Sequence, residues 1–127
     1  METKELPIIK TFEIAYDGKA VSLNQYKSDH WRKLKPKIDS LYFEFALKIK
    51  AAKIPKLKWF ELHIEHNTRL DNDNITGTSK PFVDSLVKLE RVKDDNKRHY
   101  DYLTIRYNRE LQKGRILFRI VAETLNE

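Results

Sequence analysis

Between Pro36 and Pro55, apolar side chains recur at Ile38, Leu41, Tyr42, Phe45, Ala46, Ile49 and Ala52. This is the i, i+3, i+4 stripe of a helix with one buried face. Pro36 suits the first turn of such a helix, where its missing N–H costs nothing. Pro55 disfavours helical geometry in the residue before it, so the helix should end by Ile54. A long helix with a single apolar stripe must lie on a second layer, and the strand patterns supply one. Residues 6–16 (LPIIKTFEIAY) are rich in β-branched and aromatic types, with Ile9, Phe12, Ile14 and Tyr16 as apolar material. Asp17-Gly18 is a turn dipeptide that would allow a short hairpin with Ala20–Leu23. Leu57–Thr68 alternates, with Phe60, Leu62 and Ile64 on one face and Trp59, Glu61, His63 and Glu65 on the other. Tyr102–Tyr107 and Arg115–Ala122 alternate likewise, the first expected to bury Leu103, Ile105 and Tyr107 and the second Ile116, Phe118 and Ile120, and Gly114 between them suggests an antiparallel hairpin. A second helix is expected after Thr78 or Ser79 as cap, with Pro81 in its first turn and Phe82, Val83, Leu86 and Leu89 facing inward. The expected fold is one α+β domain over residues 1–127, a mixed or antiparallel sheet with two main helices packed on it.

Charge narrows the range of partners. The chain carries 25 Lys plus Arg against 19 Asp plus Glu, a net charge of +6, which favours a polyanionic partner. Lys27 to Lys58 holds ten of the basic residues and only Asp29, Asp39 and Glu44 as acids. That stretch reads either as a phosphate-holding flank or as a solvated lysine-rich helix. Asn24–Lys35 mixes donors with Tyr26, His30 and Trp31, and Trp31 either stacks on a ligand or covers the core. No cysteine is present, so neither disulfides nor thiolate metal ligands are available. No apolar run approaches the roughly 20 residues that span a bilayer. METKELPIIK lacks the apolar segment of a signal peptide, and a cytoplasmic location with no membrane partner is the expectation.

The chemistry-bearing stretch is Arg69–Asp95. On extended backbone, Asp71 and Asp73 would point to the same side with Cα atoms roughly 6.7 Å apart, close enough to hold one hard cation or bridge two. Oxygen ligands of this kind suit Mg²⁺ or Mn²⁺. An EF-hand is excluded, because Ile75, Thr76 and Phe82 stand where that loop needs an acid or Asn, Gly and Glu. A plain Asx-rich turn without metal remains open. Lys80, Asp84 and Lys88 share one helix face. Lys80 then either pairs with Asp84 on the surface or stabilises charge on an attacked phosphate.

The order Asp-x-Asp-Asn, a helix-opening lysine, an Asp four residues on, an apolar helix and Asp94–Asp95 resembles the RusA-like Holliday junction resolvases, which are often found in prophages. The similarity runs through Asp71, Asp73, Asn74, Lys80, Asp84, Leu86 and Asp94–Asp95, and extends to Asn24 and the strand after Gly114. It implies a homodimeric RusA-like α+β fold and a Mg²⁺- or Mn²⁺-dependent crossover junction endodeoxyribonuclease acting on four-way DNA in recombination and repair. Carried over by position, Asp71, Asp73 and Asp95 would bind the metal and Lys80 would be the catalytic lysine. Asp84 and Asp94 would support them. Asn74–Ser79 makes the loop before Lys80 about three residues longer than the compact motif. On that reading Asn24, Lys27, Arg32, Lys33, Lys35, Lys37, Arg98 and His99 would contact DNA, mainly at phosphates. The alternatives are another branched-DNA nuclease acting on flaps or forks, and a non-catalytic nucleic-acid-binding dimer module.

Overall fold

The computed structural model describes residues 6–125; Met1–Glu5, part of the segment read for a leader, lie outside the described residues. The chain runs β1 (Ile9–Tyr16), α1 (Leu23–Ser28), α2 (Trp31–Ala51), β2 (Leu57–His66), a 3-10 turn (Asn72–Ile75), α3 (Thr76–Lys88), β3 (Tyr100–Tyr107) and β4 (Ile116–Thr124). The four strands form one mixed sheet in the order β1-β4-β2-β3. β4 is antiparallel to both β1 and β2, and β3 is parallel to β2. Helices α2 and α3 cover one face of this sheet, as the α+β expectation required.

The period-2 patterns decide which side of each strand is buried. Ile14 and Tyr16, Phe60, Leu62 and Ile64, and Phe118 and Ile120 all face the helices and are buried. Phe45 of α2 lies at the centre of this layer, packed edge-on against Tyr16, Phe82 and Phe118 at 5.2, 5.3 and 5.5 Å between ring centroids. Phe82 of α3 stacks on Phe118 at 4.2 Å. Among the described residues no helix is long and apolar enough to cross a membrane.

Four local expectations are corrected. The chain after Asp17-Gly18 forms no hairpin; it enters α1, capped reciprocally by Ser22 and Gln25. Helix α2 starts at Trp31, because the His30 side chain accepts the Arg32 N–H and caps it there. Pro36 therefore sits in the second turn, at an exposed position. Trp31 covers nothing and is 58% exposed. Pro81 likewise lies inside α3, since the 3-10 turn leads directly into that helix at Thr76.

The largest correction concerns β3 and β4, which are not a hairpin. Helix α3 is a crossover that returns the chain to the start of β2, so β3 pairs parallel on the outer side of β2. β4 then takes the place between β1 and β2. Residues 108–115 must consequently arch over the C-terminal end of β2 to link the two. Tyr107, expected inward, is 53% exposed on this edge strand.

Candidate functional site

The arch and its neighbours create a concavity. Beyond the ends of β1, β2 and β3, the segments 17–22, 67–75 and 108–115 converge. Asn67 ties them together: its N–H donates to Arg115 O, its side-chain amide donates to Leu111 O at 2.7 Å, and its carbonyl accepts from Gly114 N–H at 2.7 Å. Gly114 adopts φ +86°, a conformation that costs a residue with a Cβ. Arg115 clamps Asp17 with two hydrogen bonds of 2.8 and 3.0 Å, and those bonds hold the Asp17 carboxyl below its ordinary value. The open cleft measures about 680 Å³ and is lined by Asn67, Thr68, Arg69, Leu70, Tyr107 and Lys113, together with Gly18, Ala20 and Gly114.

The acidic turn begins one residue after Leu70. Asp71 occupies the N-cap of the 3-10 turn, yet its side chain makes no capping bond, although Asp at such a position ordinarily accepts an N–H. Asp71 and Asp73 are both exposed. Asp73 lies within the 3-10 turn, so the extended, same-side arrangement expected for the pair does not occur. The turn is held from below and behind. Asn74 Oδ1 accepts the Asn24 N–H at 3.2 Å, which brings Asn24 to the acidic stretch as a structural partner. Thr78 Oγ1 donates to Val21 O and accepts from Val21 N–H, at 2.7 and 2.8 Å. Gly77 lies so close to α1 that a Cβ there would stand 2.3 Å from Ser22 C. His66, the last residue of β2 and 1% exposed, contacts Thr68 Oγ1 through Nδ1 and Asn72 Oδ1 through Nε2.

The remaining sequence candidates separate into two groups. Lys27, Arg32 and Lys33 are exposed on α1 and the start of α2, and α1 packs against the 3-10 turn; they share the sheet end with Asp71. Lys35 pairs with Asp39 at 2.6 Å and Lys37 with Asp29 at 3.7 Å, so both are partly neutralised. Lys80 is exposed on α3. Asp84 makes no bridge to Lys80; it accepts from Tyr42 Oη at 3.2 Å, while Lys88 lies 3.7 Å over the Tyr42 ring. Burial, then the Asp84 charge, pushes the Tyr42 phenol up to about 12. Asp94, Asp95, Arg98 and His99 are elsewhere. Arg91 O accepts from Leu57 N–H, and His99 O from Phe60 N–H, which places residues 91–99 beside the start of β2. Asp71 follows its end. Six residues of strand, about 20 Å, separate the two, and Asp94 closes its own turn by accepting from Asp95 N–H and Asn96 Nδ2.

Among the described residues no three His, Asp or Glu side chains are grouped to hold a metal. The expected Asp71, Asp73 and Asp95 cage is therefore not formed. A divalent cation remains compatible with Asp71 and Asp73, whose hard oxygens would fill part of a coordination shell.

No family model matches the chain, and no curated protein matches it. Solved structures do superpose on it. The CDP-bound form of 2C-methyl-D-erythritol-2,4-cyclodiphosphate synthase is 18% identical, covering 91% of this chain and 98% of that one with a TM-score of 0.41. Another structure of that synthase is 19% identical at the same coverage and TM-score. The Plasmodium falciparum IspF–CDP complex is 10% identical, covering 93% and 96% with a TM-score of 0.39. Similarity this loose transfers neither activity nor substrate. The expected membership of the RusA-like resolvases does not hold: no family model and no curated protein matches the chain, and the acidic pairs lie at opposite ends of β2. The junction or other branched-DNA nuclease activity, the Holliday junction partner and the recombination role fall with it.

Sequence reasoning missed His66, Thr68, Tyr107 and Lys113. A signal for His66 was present: it continues the inward series Phe60, Leu62, Ile64 by one more step of two.

Proposed function

We propose that the chain binds a small phosphorylated ligand together with one Mg²⁺ at this end of the sheet. The observation that carries the reading is a cleft lined by Arg69, Leu70 and Lys113, with the exposed Asp71 following Leu70 directly in the chain and the exposed Asp73 two residues later. A cleft of about 680 Å³ lies in the range of small-molecule sites, and Lys113 and Gly114 of the 108–115 arch line it. Two carboxylates without a third are too few to cage a cation alone. They fit Mg²⁺, which ordinarily takes one or two protein carboxylates and completes its shell with water and ligand phosphate. Arg69 would grip phosphate oxygens in two-pronged fashion and Lys113 would act as a point charge. Lys27, Arg32 and Lys33 would raise the local concentration of anions. Lys80, seven residues along the helical path from Asp73 and about 10 Å from it, would reach the outer phosphate. The cytoplasm, where Mg²⁺ and phosphorylated metabolites coexist, is the compartment this chemistry suits.

The test is calorimetric titration of the protein with Mn²⁺, inorganic pyrophosphate, and both together. Each should bind more tightly in the presence of the other. Asp73→Asn should weaken Mn²⁺ about tenfold or more, and Arg69→Ala should weaken pyrophosphate with Mn²⁺ affinity retained. Absence of Mn²⁺ binding to the wild-type protein with pyrophosphate present would refute the reading.

A further inference from the structure

We infer that His66 is a positioning residue that sets the shape of the 67–73 loop, and so the placement of Asp71 and Asp73; this rests on the cation reading above. The hydrogen bonds assign its tautomer. Thr68 N–H points at His66 Nδ1 at 3.4 Å, and Thr68 Oγ1 lies 2.9 Å from the same nitrogen. Thr68 Oγ1 already accepts the Leu70 N–H at 3.2 Å, so its own proton is free to go to Nδ1. Two donors converging on Nδ1 make that nitrogen the acceptor, and Nε2 therefore carries the proton and donates to Asn72 Oδ1 at 2.8 Å. The resulting series, Leu70 N–H to Thr68 hydroxyl to imidazole to Asn72, wraps the loop around one ring. Asn72 stands between the two aspartates, so the last bond in the series fixes the first residue of the 3-10 turn. The ring cannot slip, because it is 1% exposed and the Tyr107 ring stands edge-on to it at 5.8 Å between centroids.

The experiment compares Mn²⁺ titrations of wild type, His66→Phe, Asn72→Ala and the double variant, with unfolding curves run in parallel. Phe keeps the ring volume and loses both nitrogens; Asn72 is exposed, so its variant folds even where His66→Phe does not. Each single variant should weaken Mn²⁺ about five- to tenfold, the equivalent of one hydrogen bond, and the double variant should be no weaker than either. The ¹⁵N shifts of the His66 ring should show a protonated Nε2 and a bare Nδ1. Unchanged Mn²⁺ affinity in Asn72→Ala, additive losses in the double variant, or the opposite tautomer would overturn the inference while leaving the cation site standing. A wild-type protein that binds no Mn²⁺ would overturn both.

Discussion

Replacing Gly77 with alanine tests how α3 is seated. Helix propensity alone makes this a stabilising change, since alanine is favoured over glycine inside a helix by about 1 kcal/mol. The structure reverses the sign. The added methyl would stand 2.3 Å from Ser22 C, 2.5 Å from Ser22 O and 2.6 Å from Leu23 N, all backbone atoms at the start of α1. Ordinary contact needs about 3.5 Å, so α1 and α3 must part by about 1 Å. Overpacking of this kind costs about 1–3 kcal/mol. The same displacement strains the two Thr78–Val21 hydrogen bonds, where Thr78 is fully buried; losing one adds about 1–2 kcal/mol. After subtracting the propensity gain, a net loss of about 1–4 kcal/mol remains. At roughly 4 °C per kcal/mol for a chain of this length, Tm should fall by about 4–16 °C. The control is Gly114→Ala, where a Cβ meets nothing within 4 Å and only φ +86° opposes it, for a cost of about 1 kcal/mol. Calorimetric unfolding of both variants decides the matter. A Gly77→Ala protein as stable as wild type, or more so, would refute the close seating of α3 on α1.

Two further outcomes follow from the sheet. Burial pushes the Glu65 carboxyl up, but hydrogen bonds from Asn108 and Arg106 and the charges of Arg106 and Arg119 outweigh it and hold the group below its ordinary value. A depressed folded value contributes stability that is present above the unfolded pKa of about 4.3 and is lost as pH falls through the folded one. Glu65→Gln should therefore be less stable than wild type at pH 7, and urea unfolding between pH 2 and 7 should show a shallower acid decline; superimposable acid limbs would contradict this. Asp95→Asn should leave Mn²⁺ affinity within about twofold of wild type, and a loss matching that of Asp73→Asn in the same titration would mean that the two acidic pairs meet.

The layers of this fold were legible because periodicity reports which side of an element is buried. The α2 stripe and the inward sets of β2 and β4 required nothing beyond local spacing, and Pro55 placed the end of α2 correctly. What failed were the element starts and the strand partners. His30 as a cap is a weaker signal than Pro36, so α2 was placed five residues late; Asp17-Gly18 reads as a hairpin turn although the chain that follows is capped as a helix by Ser22 and Gln25. Gly114 marked a true turn. It could not reveal that the turn arches over a third strand and leaves β3 and β4 on either side of β2.

That one pairing decides the chemistry. Had β3 run antiparallel to β2, its first residues would have stood near the end of β2, and Asp94–Asp95 could have approached Asp71 and Asp73. An alternating segment such as Tyr102–Tyr107 is compatible with either direction, so residue spacing could not choose. Helix α3 spans 13 residues, about 20 Å at 1.5 Å per residue, which matches the six-residue length of strand it runs beside. A crossover of that length delivers the chain to the start of β2, where residues 89–99 turn it into β3 and Phe60 stands opposite Tyr100 in parallel pairing. The second acidic pair is thereby carried to the far end of the sheet. In its place the arch required by the same topology brings Lys113 and Tyr107 over the end of β2, beside Arg69. An apparent three-carboxylate motif thus becomes a two-carboxylate turn that follows Arg69 and Leu70 of the cleft lining, and the cation site proposed above rests on those two carboxylates alone.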